Sequence, residues 1–399
     1  MSGQRRHIGV VERRARLAVG QRLAGAARAG TPEEVAASLV ALHGTDPVSV
    51  YLAVGARLAD AARVVPEMER ALYEDRTLIR MHGMRQTVFV FPTGLVPVVH
   101  ASTGLAVAAR ARASLVKDMA RVGAPDAKWL AEVETSTLAA LTRRGEATAA
   151  ELAREEPRLR ERFAYAPGTG YEGVHTVSSR LLRVLGAEGR VVRGRPLGSW
   201  TSTQFRWAAA PPCAELPVAE AQAELIRRWL AACGPATEAD LKWWTGWKVS
   251  DVRRALGAVG AVTVSVDEGT AYVLADAVEP ADAVEPWAAL LPGLDPTAMG
   301  WQERDWYCPP GLRPALFDRS GNIGPTVWWD GRIVGGWAQR PDGEIAWRLP
   351  AGEGADTTNV GAEALDAIGA EADRLRSWMG PTRVTPRFRT PLERELASG

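Results

Sequence analysis

Cysteine is scarce in this chain. Cys213, Cys233 and Cys308 are the only three in 399 residues, too few and too scattered for a disulfide framework or a Cys-ligated zinc site. That usage points to a reducing compartment, and the expected location is the cytoplasm. Histidine is nearly as sparse, with five residues, and no His/Cys/carboxylate group has metal-ligand spacing, so no metal or other cofactor is expected. No apolar run approaches the roughly 20 residues that a membrane-spanning helix needs, which argues against a membrane partner. The Arg-rich N-terminus lacks the apolar stretch and cleavage site of a secretory signal. No glycine-rich phosphate loop follows a strand, and no serine sits in a nucleophile-elbow context. A formal net charge of +1 does not announce a nucleic-acid binder either.

The distribution of that charge says more than its sum. Residues 1–30 hold Arg5, Arg6, Arg13, Arg14, Arg16, Arg22 and Arg28 against Glu12 alone, and Arg5 to Arg28 reads as a basic, Ala-rich helix. Arg190/Arg193/Arg195 and Arg383/Arg387/Arg389 form two further basic clusters. Local patches of this kind can follow a phosphate backbone, although each one alone also suits a solvated helix face.

One stretch organises the rest: Ala41-Leu42-His43-Gly44-Thr45-Asp46-Pro47, between two segments of helical periodicity. Thr31-Pro32-Glu33-Glu34 reads as a helix start, with Val35, Leu39 and Leu42 at helical spacing. Asp46 can cap a second helix opened by Pro47, with Val50, Tyr51, Val54 and Leu58 as its apolar face. Between the two, His43, Thr45 and Asp46 crowd polar groups around Gly44, which fits either a reaction site or an ordinary helix-helix corner. A short helix over 66–75 and two strands, Thr77–Met81 and Gln86–Phe91, follow, with His82-Gly83 near the turn. Helices followed by a hairpin describe a winged helix.

The pattern returns twice. An amphipathic helix over 126–144 and a capping box at Thr148-Ala149-Ala150-Glu151 open the second copy. A Gly/Pro-rich loop over 166–170 leads to a helix expected over 171–186, whose exposed side offers Ser178, Ser179, Arg180 and Arg183; strands at 190–193 and 201–207 would form its wing. The third copy is the clearest: a helix over 219–233, a helix capped by Thr237, another over 251–256 capped by Ser250, and strands 261–266 and 271–274 around Asp267-Glu268-Gly269. Helix-turn-helix units in series suit a clamp on nucleic acid, though winged helices also serve as protein-binding modules. After an acidic, Ala-rich linker over 275–285 the chain becomes turn-rich and β-forming, with hairpin turns at Asp330-Gly331 and Asp342-Gly343 and a helix over 363–378. Seven of the fifteen tryptophans fall between Trp287 and Trp347, where a small sheet uses aromatics as core.

Leu42-His43-Gly44-Thr45-Asp46-Pro47…Tyr51-Leu52…Ala56-Arg57-Leu58, followed by Met84-Arg85-Gln86-Thr87, resembles the winged-helix DNA glycosylases of the AlkZ and YcaQ type. Leu291-Pro292-Gly293-Leu294-Asp295-Pro296, Trp301…Arg304-Asp305 and Trp329-Asp330-Gly331-Arg332…Gly335-Gly336-Trp337 extend the resemblance over nearly the whole chain. It implies an α+β architecture of three tandem winged helices (1–115 with the basic N-terminal helix, 116–212, 213–282) and a β-rich C-terminal domain (283–399), shaped as a C-shaped clamp. It also implies a monomer acting on double-stranded DNA, excision of alkylated purines including N7-alkylguanine, and no cofactor.

The resemblance places His43 and Thr45 where such glycosylases carry a Gln-apolar-Gln pair or a relative of it, so the second position has exchanged an amide or carboxylate for a hydroxyl. His43, Thr45 and Asp46 are the expected catalytic residues, although the position of Asp46 favours service as the next helix's cap alone. Arg57, Arg80, His82, Arg85, Thr87, Ser179, Arg180, Arg183, Arg193 and Arg195 are the expected DNA contacts. A DNA-binding or damage-sensing protein without catalysis, or a transcription regulator, is the competing expectation; a regulator should discriminate one sequence, whereas a glycosylase should prefer lesions.

Overall fold

The computed structural model describes residues 5–121, 127–165, 173–350 and 360–398. Three times the chain runs helix, short strand, helices, hairpin, and each time the short strand pairs with the last strand of the hairpin to give a three-stranded antiparallel sheet. In the first repeat the helix Pro32–Ser38 leads through the strand Leu42–His43 to the helix Pro47–Gly55, and the hairpin is Leu78–His82 with Val88–Pro92. The second sheet joins Glu146–Ala147, Val191–Pro196 and Phe205–Ala209; the third joins Ala236–Thr237, Val262–Val266 and Gly269–Val273. This is the order the sequence predicts for a winged helix.

All but one of the caps are those the residues dictate: Ser250 lies inside the helix Val249–Ala258, which starts after Lys248 without a side-chain cap. Thr31 accepts from the Glu34 amide at 3.2 Å, and Thr148/Glu151 and Thr237/Asp240 form reciprocal capping boxes. The helix Pro47–Gly55 is buried along its whole length, because it is apolar on every side and wedged between its own repeat and the C-terminal sheet. The Ala362–Met379 helix closes over its end: Arg374 donates to the carbonyls of Gly55 (2.9 Å) and Ala56 (3.2 Å). Trp378 lies so near Gly55 that a Cβ there would stand 2.8 Å from the indole.

Three departures from expectation have physical causes. The basic N-terminal helix spans only Val10–Gly20; Gly20 weakens it, and Arg22 turns left-handed at φ 59°. In the second repeat the helix begins at Val177, not near Tyr171, because Gly173–Thr176 pairs with Arg162–Tyr165 as an added hairpin and Thr176 caps the helix. The loop expected over 166–170, the helix start expected at Tyr171 and the start of the 126–144 helix at Asp126 lie outside the described residues. Third, Thr93–Ala120 is helical, with the length and apolarity of a membrane span. Its length escapes periodicity reading because Pro97 and Gly104 interrupt the pattern. Half of it is buried within the protein, packed on the helices Val177–Ala187 and Val218–Cys233.

The C-terminal region carries a four-stranded antiparallel sheet in sequential order, Ala288–Leu291, Thr326–Trp329, Arg332–Gln339 and Ile345–Arg348. Asp330 and Gly331 both have positive φ, 44° and 77°, as the tight hairpin turn requires. Trp287, Trp301, Trp306, Trp328 and Trp337 are buried. They are core, as the sheet's size implies.

Candidate active site

The first repeat's sheet and the second repeat's helix and wing enclose a cleft of about 680 Å³. The first repeat contributes Thr45, His82 and the run Arg85 to Val88; the second contributes Ala149, Ser178, Ser179, Leu182, Arg183, Arg193, Phe205 and Trp207; the C-terminal tail adds Arg387. The two repeats are held in place by the second wing. Trp200 inserts against Tyr51, ring centroids 4.9 Å apart, and against Trp378 at 6.1 Å.

Local geometry explains how Thr45 comes to face the cleft. His43 pairs with Phe89 across the sheet, and the Gly44 amide donates to the Val88 carbonyl at 2.8 Å. Just past the paired strand, Thr45 lines the cleft together with Thr87. Gly44 keeps the approach close: a Cβ there would stand 3.2 Å from the Phe89 carbonyl carbon and 3.3 Å from the Val88 oxygen, so the backbone would have to give by a few tenths of an ångström. His43 is beside the cleft rather than in its wall, with its ring edge-on to Phe89 at 5.3 Å. Its Nδ1 is buried without a hydrogen-bond partner among the described residues. Burial, helped by the charge of Arg85, lowers its pKa from the ordinary 6.5 to about 4, so the imidazole is neutral at physiological pH. His82, in the wall, is neutral for the same reason: burial first, then Arg193 and Arg183, bring it to about 4.

The cleft is cationic. Arg85, Arg183, Arg193 and Arg387 line it, and no carboxylate does among the described residues. Arg193 lies over the Phe205 ring at 4.4 Å. Burial, then the charges of Arg80, Arg387 and Arg183, depress its pKa to about 10; an arginine so affected stands among positive charges that call for an anion. Arg85 sits over Trp243 of the third repeat at 4.2 Å.

Several residues expected on DNA lie elsewhere, and one expected catalytic group has another task. Asp46 is a cap: one carboxylate oxygen accepts from the Val48 amide at 3.2 Å and the other from the Arg387 amide at 3.0 Å. With both oxygens engaged and the residue buried, it is not placed to activate water. Arg57 does not face DNA. Its side chain is wholly buried and pairs bidentately with Asp295, at 2.7 and 2.9 Å. Arg180 turns toward Asp118 (3.0 Å) and Ser114, and Arg195 toward Glu69 (2.6 Å) and Glu74. Arg80 is buried below the cleft, where it shares a smaller void with Arg193. Of the residues expected on DNA, His82, Arg85, Thr87, Ser179, Arg183 and Arg193 converge on the cleft. Gln86 and Arg387 join them; Gln86 belongs to the Met84-Arg85-Gln86-Thr87 phrase that carries the family resemblance, which gives it no role, and the Arg383/Arg387/Arg389 cluster signals the charge of the tail but not its place.

The family model for DNA glycosylase AlkZ-like proteins matches residues 36–378, a span that includes every cleft residue named above except Arg387 and the whole C-terminal sheet. The chain belongs to the AlkZ-like DNA glycosylase family. DNA is therefore its partner, and hydrolytic base excision in DNA repair its class of activity. The fold agrees: the Streptomyces sahachiroi DNA glycosylase AlkZ superposes with a TM-score of 0.67 at 20% identity, over 92% of this chain and 96% of that one. No curated protein sequence matches. Within the AlkZ-like fold, the stretch that organises this sequence thus contributes Thr45 to the wall of an arginine-lined cleft.

Proposed function

We propose that this DNA glycosylase excises cationic alkylated purines of the N7-alkylguanine class from double-stranded DNA, working as a monomer in the cytoplasm. The observation that carries the reading is the absence of an acid: among the described residues the cleft wall has no carboxylate, and His82 and the neighbouring His43 are both neutral. A neutral purine needs a proton before it can leave. An N7-alkylated guanine already carries the charge, so when the C1′–N9 bond breaks and its electron pair moves to the base, the base departs neutral. Water then adds to the electron-poor C1′ and gives up one proton, which the neutral imidazole of His43, beside the cleft, accepts. The Thr45 hydroxyl supports that water, and preorganised dipoles stabilise the developing sugar cation. Arg85, Arg183, Arg193 and Arg387 take the flanking phosphates, which offset their charge. Three repeats in one chain reduce the need for a second subunit to span the duplex.

The pH dependence tests this. The working imidazole is the neutral one, and its pKa is lowered, so activity is retained above the folded-state value and lost as the pH falls through about 4. Single-turnover release of N7-methylguanine, corrected for spontaneous loss, should be flat between about pH 5.5 and about 9. A tenfold fall on going from about pH 7.5 to about 5.5 would show an ordinary exposed imidazole near 6.5 at work and contradict the assignment.

A further inference from the structure

The turn Met84–Gln86 contains two successive non-glycine residues in the left-handed region, Arg85 at φ 53° and Gln86 at φ 61°. Hairpin turns with this geometry favour asparagine and glycine, because a Cβ crowds the backbone there. Neither Arg nor Gln relieves that crowding. Strain held at two adjacent positions in a cleft wall points to a use for the side chains.

The use of Arg85 is visible. Its guanidinium stacks on Trp243, and Gly246 leaves room for it, since a Cβ at that glycine would stand 3.1 Å from Arg85 Cγ. The third repeat therefore clamps the turn in its left-handed form. What the clamp presents is Gln86. Its side chain lines the same cleft as Thr45 and Thr87, is exposed to solvent, and is the one side-chain amide among the described lining residues. The rest of the wall offers arginines, which only donate, apolar groups, hydroxyls and a buried histidine. An amide brings a strong neutral acceptor and a donor to the same point.

We propose that Gln86 is a catalytic residue of this cleft: its carbonyl oxygen accepts a hydrogen bond from the water that attacks C1′, and Thr45 Oγ1 holds the same water from the opposite strand. The assignment rests on the base-excision reading above. It adds no reactant to that reaction. Water supplies the oxygen, the departing base keeps the bond pair, and the proton leaves by the route already described. Gln86 fixes the direction of attack and, as charge develops on the sugar, turns its carbonyl dipole to the cation.

Gln86→Gly is the informative variant, because glycine adopts φ near 60° without strain. The Tm should be unchanged or raised by about 1 °C or more, while single-turnover base release falls about 10- to 100-fold at unchanged duplex affinity. Gln86→Glu, which keeps the acceptor, should retain more activity than Gln86→Gly. The binding arm needs no identified lesion. A duplex carrying a cationic pyrrolidine abasic analogue should bind wild type more tightly than one carrying the neutral tetrahydrofuran analogue, and Gln86→Gly should reduce that preference about tenfold while leaving the tetrahydrofuran complex unchanged. A Gln86→Gly protein with wild-type release and wild-type preference overturns the assignment of Gln86. A wild-type protein with no preference for the cationic analogue overturns the excision reading itself.

Discussion

Replacing Arg57 with alanine is expected to destabilise the chain by about 3–5 kcal/mol, the cost of leaving a buried carboxylate without its counter-charge. The guanidinium and Asp295 are both wholly buried. Arg57 also donates to the carbonyls of Gln21 (3.0 Å) and Ala53 (2.8 Å) and to Thr297 Oγ1 (2.7 Å). Thr297 in turn donates to the Gln21 side chain, whose amide reaches Cys233 Sγ at 3.3 Å. One network thus ties the N-terminal helix, the first repeat, the third repeat and the C-terminal region. Equilibrium urea unfolding of Arg57→Ala, Asp295→Ala and the double variant checks this. The double variant should be far less destabilised than the sum of the two singles, since removing both charges leaves none stranded. Additive losses, or a single loss under about 1 kcal/mol, would contradict the network.

The second large effect concerns DNA affinity. Exchange of Arg183, Arg193 and Arg387 together for glutamine should weaken binding to an undamaged duplex roughly 100-fold at low salt. That figure assigns about 1 kcal/mol to each charged hydrogen bond to phosphate, after allowance for solvent screening. The slope of log K against log salt should become shallower by about 2.7, at about 0.9 for each phosphate no longer neutralised. Arg195→Gln and Arg180→Gln serve as contrasts. Their guanidiniums are committed to Glu69 and Asp118, so each should change the salt slope by well under one. If these two variants weaken binding as much as the cleft exchanges do, the cleft is not where the backbone runs. Arg387→Gln keeps the backbone amide that donates to Asp46, so its effect reports charge rather than loss of the tail's anchor.

Local chemistry is legible in the sequence, and long-range pairing is not. Thr31, Asp46, Thr148 and Thr237 cap the helices expected of them, because a cap is decided within four residues. The hairpins of the first and third repeats and the Asp330-Gly331 turn follow from strand alternation and turn residues in the same way. Arg57 misleads because an arginine near a helix end looks alike whether it faces phosphate or a buried carboxylate. Its partner lies 238 residues away, beyond any periodicity. The added hairpin at Arg162–Tyr165 and Gly173–Thr176 escapes because Arg-Phe-Ala-Tyr and Gly-Val-His-Thr lack a strong alternation. At the site, the polar turn around Gly44 announces itself and Thr45 reaches the cleft, but Asp46 proves to be a cap. Gln86 reads from sequence as a strand's first residue. Only its φ of 61° and its place in the wall give it a role, and neither leaves a mark in residue type.

Whether the cleft excises a cationic purine is decided by single-turnover base release from a duplex carrying one N7-methylguanine, with wild type and His43→Ala compared at matched DNA affinity. Wild type should release the base, and the variant should lose about 100-fold or more, the range for a positioned base. Tight duplex binding by wild type with no release would contradict the cleft as a site of N7-alkylguanine excision and favour a protein that binds damaged DNA without cutting it.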